Sequence, residues 1–381
     1  KNKDLNLKKV ILNKSQKSNL INLNKKKSKQ KRKKIFHLKG GSPRTGIFEF
    51  QPTKHTCEVL EKLIKKLPRE KETIMKKQAI TKLVSKAPFV KSKIKNKIEL
   101  LTEFEVKNDS GNDGGAYKKV YKGKKKGKKY IILETKYDFY NKDYEDSSDL
   151  FNEFIGYLIQ LYLQKKWDEL EEKKKEDFHQ EDNNNPFPKI ERLYIDYDGI
   201  YKSTLYCVQE LQGIDLVGVV NFALETKQAK IVNIKKLYIF LIMTIYFLHN
   251  NLIVYNDLKP ENILYDRTKN SYYLIDFGFS FDYDRQDCDI RGTIPFLLPE
   301  QIRKELCEEK SYSSQDLRTD RLFLEDAPDN VYKPDMWSLG IFILTFSFLL
   351  KEFDQINKGA ELSQVKEDIY QEIHIIMNDN L

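Results

Sequence analysis

Apolar residues recur at helical spacing from Cys57 onward: Val59, Leu60, Leu63, Ile64 and Leu67 share one side, and Pro68 ends the run. A second helical stretch is expected around Ile80–Leu83, so one or two helices fill residues 55–101. From Glu103 the pattern turns strand-like, with Lys119–Lys122 and Tyr130–Thr135 either side of a Gly/Lys turn, which suits the front of an antiparallel sheet. Leu150–Leu163 reads as an apolar-rich helix, and the charged, Asn-rich Trp167–Pro188 after it as a surface insertion. Strands resume at Arg192–Ile195 and Tyr206–Val208. Ile234–Leu248 then sets Leu237, Phe240, Leu241, Thr244, Ile245 and Leu248 on one helical face, and a loop, Leu252–Leu264, leaves it. No repeat is visible at any solenoid period.

The longest apolar stretches, Leu237–Leu248 and Trp337–Leu350, fall short of the ~20 residues that cross a bilayer, so both are expected as buried helices and no membrane span is expected. Charge changes the picture at the front of the chain. The excess behind the net +10 sits between Lys1 and Lys54, where Asp4 and Glu49 are the only acids. Lys25–Lys34 carries eight basic residues in ten, too self-repelling to pack, so residues 1–54 read as an extended arm. Such an arm suits an acidic partner, either nucleic acid or an acidic protein surface, and membership of a larger complex. Cysteines 57, 207, 288 and 307 form no Cys-x-x-Cys pair, which argues against a zinc site and a disulfide framework and for a reducing, intracellular setting, cytoplasmic or nuclear.

The chemistry is concentrated further along. Val254–Leu264 reads V-Y-N-D-L-K-P-E-N-I-L, and the strand Tyr272–Ile275 runs into Asp276-Phe277-Gly278. Gly292–Glu300 (GTIPFLLPE) and Asp335–Gly340 (DMWSLG) follow. In this order and spacing the stretch resembles the protein kinase superfamily: the catalytic loop H-R-D-L-K-P-E-N, the D-F-G motif, the G-T…P-E end of the activation segment, and the opening of the central helix. The resemblance implies an α+β, two-lobed kinase-like fold: a small antiparallel-sheet N-lobe over residues 102–210, and a mainly helical C-lobe over 211–381 with an insertion near 301–334. It implies ATP and Mg2+ as cofactors and a protein substrate. Asp257 would be the base that accepts the substrate hydroxyl's proton, Lys259 would touch the transferring phosphate, and Asn262 and Asp276 would hold the metal. D-L-K-P-E-N resembles the serine/threonine branch. Tyr206–Leu216 resembles the hinge, with Gln209 as gatekeeper, Glu210 and Gln212 in the hinge, and Asp215 near a ribose.

Elsewhere the pattern departs from the family. Anchored on Val120, the phosphate loop places Asp113, Gly115 and Lys118 at its three glycine positions, so only Gly115 is retained. The strand lysine has two candidate registers: I-I-L-E puts Glu134 where lysine belongs, whereas L-E-T-K supplies Lys136. Because side chains alternate on a strand, Glu134 and Lys136 share a face, and Glu153 is the expected ion-pair partner of Lys136. Tyr255 and Asn256 replace the family's His-Arg, which removes the cation that would receive a phosphorylated activation segment. The residues after Gly340 are fewer than the family's remaining helices need. Two functions compete on these grounds: an active serine/threonine protein kinase, and a catalytically weak or dead kinase-fold scaffold anchored by its basic arm.

Overall fold

The structure is a computed structural model that describes residues 45–51, 56–66, 89–106, 112–113, 118–138, 148–178, 184–197, 202–226, 233–282, 293, 296–298 and 332–357. The expected helix at Ile80–Leu83, the basic run Lys25–Lys34, Gly115 and the 301–331 part of the expected insertion lie outside these residues.

Two strands come first. β1 (Gly46–Phe50) and β2 (Phe89–Lys91) pair antiparallel, with helix α1 (Thr56–Lys66) between them in sequence. Helix α2 (Lys97–Glu103) follows, its first turn closed by Asn96, whose side-chain oxygen accepts from the Glu99 N–H. β3 (Asn112–Asp113), β4 (Lys118–Lys125) and β5 (Lys128–Asp138) form a hairpin ladder, then α3 (Ser148–Asp168), short α4 (Glu172–Glu176), β6 (Ile190–Tyr197) and β7 (Lys202–Glu210). Together they make a seven-stranded sheet in the order β2-β1-β6-β7-β5-β4-β3. The five strands β3 to β7 are the expected N-lobe sheet, and β1–β2 extend it beyond β6.

Residues 46–50, expected inside the extended arm, are therefore sheet. Ile47, Phe48 and Phe50 bury their side chains there, and Glu49 pairs with Arg192 of β6. Three apolar side chains in five residues hold this segment to the sheet in spite of the charge upstream. The described parts of the expected surface insertion, residues 167–178 and 184–188, are also tied to the core. Trp167, Phe178 and Phe187 are buried, and each meets the ring of Phe247 at 5.8–6.1 Å. Its aromatics outweigh its charges: large rings bury enough area to fix a polar segment.

The sheet is covered on both faces. α2 lies on the outer face, where Leu100, Leu101 and Phe104 pack with Tyr121, Tyr130, Ile132, Tyr194, Tyr206 and Val208. The inner face meets α3 and joins the main core, which continues into the large lobe. There α5 (Leu216–Thr226), α6 (Ile234–Asn250) and α7 (Lys333–Asn357) surround three short strand pairs: β8 (Ile214–Asp215) with β10 (Ile263–Asp266), β10 with β11 (Ser271–Leu274), and β9 (Ile253–Val254) with β12 (Phe281–Asp282). α6 buries the expected face from Leu237 to Leu248. Gly213 lets the chain turn from sheet to helix: its φ is +50°, and a Cβ would stand 2.0 Å from the Tyr265 carbonyl oxygen. No helix among the described residues is long and apolar enough to cross a membrane. The architecture is the expected two-lobed α+β kinase-like fold.

Candidate active site

The loop from β9 to β10 is held from beneath by Asp335, which is fully buried at the start of α7. Its Oδ2 accepts the Tyr255 N–H at 2.8 Å and its Oδ1 the Asn256 N–H at 2.7 Å; His249 Nε2 lies 2.9 Å from Oδ2. A buried carboxylate that accepts several hydrogen bonds keeps its charge and fixes what it touches. Asn256 consequently sits at φ +63°, a left-handed conformation that asparagine tolerates better than arginine would. Tyr255, where the family carries histidine, donates its hydroxyl to the Ile275 carbonyl and sets its ring edge-on to Phe277 at 5.3 Å. One side chain thus ties the catalytic loop to the Asp276-Phe277-Gly278 segment.

This arrangement presents the expected chemical groups together. Asp257 Oδ2 is 2.8 Å from Lys259 Nζ and accepts from Asn262 Nδ2 at 2.8 Å, while its Oδ1 accepts from Thr293 Oγ1 at 3.1 Å. Lys259 also donates to Thr293 Oγ1 at 2.9 Å. Burial pushes the Asp257 carboxyl above its ordinary value, although Lys259 and the Asn262 amide pull it back, and Asp276 adds to the rise. Asp276 goes the other way: burial would raise it, but the Lys118 ammonium, the Gly278 N–H and Lys259 hold it below the usual carboxylate range. Its φ of +59° is strained backbone at the segment that aims this carboxylate. The two carboxyls are thereby separated, one poised to take a proton and one to stay charged.

The Asn262 amide donates twice to Asp257, at 2.9 Å to the carbonyl and 2.8 Å to the carboxylate. What its side chain offers another ligand is a carbonyl oxygen. That oxygen and the carboxylate of Asp276 are hard donors of the kind Mg2+ takes from proteins, with water and phosphate completing the shell, so the donor set fits the metal. Among the described residues no group of three His, Cys, Asp or Glu side chains forms a cage that would hold a metal without phosphate.

The strand lysine is the main correction. Lys136 does not enter the site: its side chain is 65% exposed, and its Nζ lies 3.3 Å from Glu134 Oε1, near enough for attraction but not aligned as a hydrogen bond. Glu134 faces away from α3, to the outer side of the sheet. It is 1% exposed beneath α2, where its Oε2 accepts from Tyr121 at 2.6 Å and meets Lys97 Nζ at 3.1 Å. Burial would raise its pKa, but the Tyr121 hydroxyl and the Lys97 ammonium outweigh that and lower it. The β5 face turned to α3 instead carries Leu133 and Thr135, so Thr135 occupies the inner register next to the site. Its cross-strand partner is Lys118 on β4. Partners in an antiparallel pair point to one face, and Lys118 therefore points inward. Its Nζ stands 2.8 Å from Glu153 Oε1 and 3.3 Å from Asp276 Oδ2. Burial works against the charge on Lys118, but the two carboxylates outweigh it and hold the ammonium above its ordinary value. Glu153 thus has its expected lysine, supplied one strand over.

α3 reaches this point because Gly156 lets it come close: a Cβ there would be 2.7 Å from the Phe277 carbonyl carbon. In the segment expected as the hinge, Gln209 is buried, with its Nε2 3.4 Å from Gln160 Oε1 and 3.3 Å from Cys207 Sγ. Glu210 ends β7 and pairs with Lys128 at 3.0 Å, and Gln212 accepts from Lys269 at 3.0 Å. Asp215 Oδ1 accepts the Gly218 N–H at 2.8 Å and caps α5. Val120 pairs with Leu133 on the inner face of the β4–β5 ladder. Gly115 lies outside the described residues.

Sequence reasoning missed Lys118 as the paired cation, Thr293 as the link between Asp257 and Lys259, and Asp335 as the anchor of the loop. Lys118 had a signal, because it fills a glycine position with a cation on the strand that pairs with β5.

Residues 168–317 match a family model described as Protein kinase domain. The match begins after Lys118 and Glu153 and ends before Asp335, so it covers the Val254–Leu264 loop, Asp276–Gly278 and Gly292–Glu300 but not the rearranged strand or the start of α7. The chain is similar to the serine/threonine-protein kinase nekl-2 of Caenorhabditis elegans, 31% identical over 120 residues, which are 31% of this chain and 27% of that protein. It is similar to the serine/threonine-protein kinase ppk25 of Schizosaccharomyces pombe, 30% identical over 128 residues, 33% of this chain and 25% of that one. The chain spans about a quarter of the length of these relatives. Among solved structures, the Cydia pomonella granulovirus kinase PK-1 aligns at a TM-score of 0.36 and 22% identity, over 66% of this chain and 69% of that one. With the Asp257 loop, Asp276 and the helix that anchors the loop in the family's order, the chain is similar to the protein kinase superfamily, the match to the domain model spanning residues 168–317.

Proposed function

We propose that the chain is an active ATP- and Mg2+-dependent protein kinase of the serine/threonine type, which moves the γ-phosphoryl group of ATP to a protein hydroxyl. The observation that carries this reading is Lys118, held between Glu153 and Asp276 and so set to receive phosphate oxygens although the usual strand lysine is missing. Asp257 accepts the substrate hydroxyl's proton as its oxygen bonds to phosphorus and ADP leaves. Lys259, already bonded to Asp257 and Thr293, stands where negative charge gathers on the transferred group. Asp276 and Asn262 would hold Mg2+, which would supply neutralisation of phosphate charge. Lys118 orients the nucleotide phosphates, and Gln209, Glu210, Gln212 and Asp215 line the nucleotide's adenine and ribose side. The basic run Lys25–Lys34 serves a separate purpose, capture of an acidic partner, which salt would weaken.

The test uses the purified chain, Mg2+, ATP and a mixed serine/threonine peptide substrate. Asp257→Asn is expected to stop transfer while Mg2+-dependent ATP binding persists, and Asp276→Asn to remove the metal dependence of binding. A kinase-fold scaffold would keep the Lys118–Asp276 contact closed against ATP. Absence of any Mg2+-dependent ATP binding by the wild-type chain would therefore overturn the assignment in favour of that reading.

A further inference from the structure

We infer that the chain's own N-terminal extension, α1 with the β1–β2 strand pair, grips α3 and keeps Glu153 turned to Lys118, with Phe89 as a positioning residue for that pair; its catalytic consequence rests on the function proposed above. α3 is covered nearly all round. From Asn152 to Gln164 almost every side chain is buried or half-buried, including Phe154 at 4% and Tyr162 at 7% exposure. A helix apolar on all sides must be enclosed. The sheet and the Phe277 segment enclose two sides, and the extension supplies the third.

The grip has two points. Phe89 of β2 lies 6.1 Å from the ring of Phe154, the residue next to Glu153, and Phe50 of β1 backs it edge-on at 5.6 Å. At the other end, Leu60 and Ile64 of α1 are buried in the same core as Leu163 and Trp167, and Cys57 Sγ lies 3.3 Å from Glu169 Oε1, just past the helix. Fifteen residues separate Phe154 from Glu169, roughly 22 Å along a helix, so the two contacts fix both position and tilt. The strand pair itself is anchored in the sheet through β6, with Phe48 opposite Ile195. A brace within the chain also suits the loop it serves. Asn256 stands where the family carries the cation that receives a phosphorylated activation segment, so that route to ordering α3 lacks its receptor.

Full-length Phe89→Ala, Phe89→Leu, Glu153→Gln and the double variant Phe89→Ala/Glu153→Gln test this. Two readouts are needed: kcat for peptide phosphorylation, and hydrogen exchange of the backbone amides of residues 150–157 without nucleotide. Phe89→Ala is expected to speed exchange there and to lower kcat on the order of a hundredfold, the cost of an ångström-scale misplacement. Phe89→Leu should restore both. In the Glu153→Gln background the alanine should cost little more, since it acts through Glu153. Unchanged exchange in folded Phe89→Ala, or an equal loss of kcat in both backgrounds, overturns the inference. If the wild-type chain transfers no phosphate, the proposed function fails while the exchange arm still decides whether the extension grips α3.

Discussion

Replacing Lys118 by alanine removes the cation that stands 2.8 Å from Glu153 and 3.3 Å from Asp276 and leaves the two carboxylates without it. Loss of one preorganised group that stabilises developing charge typically lowers kcat by roughly 10²–10³, about 3–4 kcal/mol, and that is the expected cost. The structure also specifies the repair. Thr135 is the cross-strand partner of Lys118, with Cα atoms about 5 Å apart in such a ladder and side chains on the same face. A lysine at 135 would reach Glu153 from the strand where the family keeps it. Lys118→Ala/Thr135→Lys should recover at least about tenfold in kcat, equivalent to about 1.4 kcal/mol of barrier. Thr135→Lys alone should do harm, because it faces a second ammonium at about 4–5 Å, where like charges repel by roughly 3–4 kcal/mol at an effective dielectric of 20. Steady-state phosphotransfer at varied ATP, with thermal melts as the folding control, reads all three variants. If Lys118→Ala keeps full activity, or Lys136→Met abolishes it, the assignment of the cation is wrong.

Lys136→Met itself should change stability by less than about 0.5 kcal/mol and leave the ATP KM alone, since an exposed lysine pair contributes little; a thermal melt and an ATP titration suffice. Glu134→Lys, which the apolar register of the sequence suggests should be neutral or restorative, is expected to cost about 3–5 kcal/mol in urea unfolding, because it buries an uncompensated ammonium beside Lys97. Glu134 titrates below its ordinary value in the folded chain, so its contribution is present above the unfolded carboxylate pKa and fades as pH falls through the folded one; Glu134→Gln should flatten that acid limb of stability. Because Asp257 is raised and Asp276 lowered, acid should remove phosphotransfer before it removes Mg2+-dependent ATP binding, and a pH profile in which both vanish together would refute the division of roles.

The large-lobe half of the site was legible because its chemistry is local: Asp257, Lys259 and Asn262 sit within six residues of one loop, and Asp276 follows a recognisable strand. The placement of Glu153 on an inward helix was legible too. The phase of β5 was not. Ile131, Ile132 and Leu133 are all apolar, so alternation gives no sign of which of them faces α3, and both lysine registers read from the sequence are off by one against the observed pairing. What decides the phase is α2, which covers the opposite face and makes room there for Tyr121, Ile132 and Glu134. That cover is a tertiary fact with no local signal in β5. The same holds for Gly46–Phe50, where a short apolar run inside a basic region gains its strand only by pairing with β6.

Moving the lysine from β5 to β4 changes what it is mechanically tied to. β5 lies inside the sheet, paired along its length to β4 and β7, so a lysine there is held whatever the phosphate loop does. Among the described residues β4 has β5 on one side and the two-residue β3 on the other, through Asn112 opposite Val120 and Asp113 opposite Lys119. Lys118 is the first residue of β4, at the end where the chain arrives from β3 through residues 114–117. A residue at a strand end has fewer ladder bonds holding it than one in mid-strand, so the place of the Lys118 ammonium depends more on its pairs with Glu153 and Asp276 than a lysine at position 135 would.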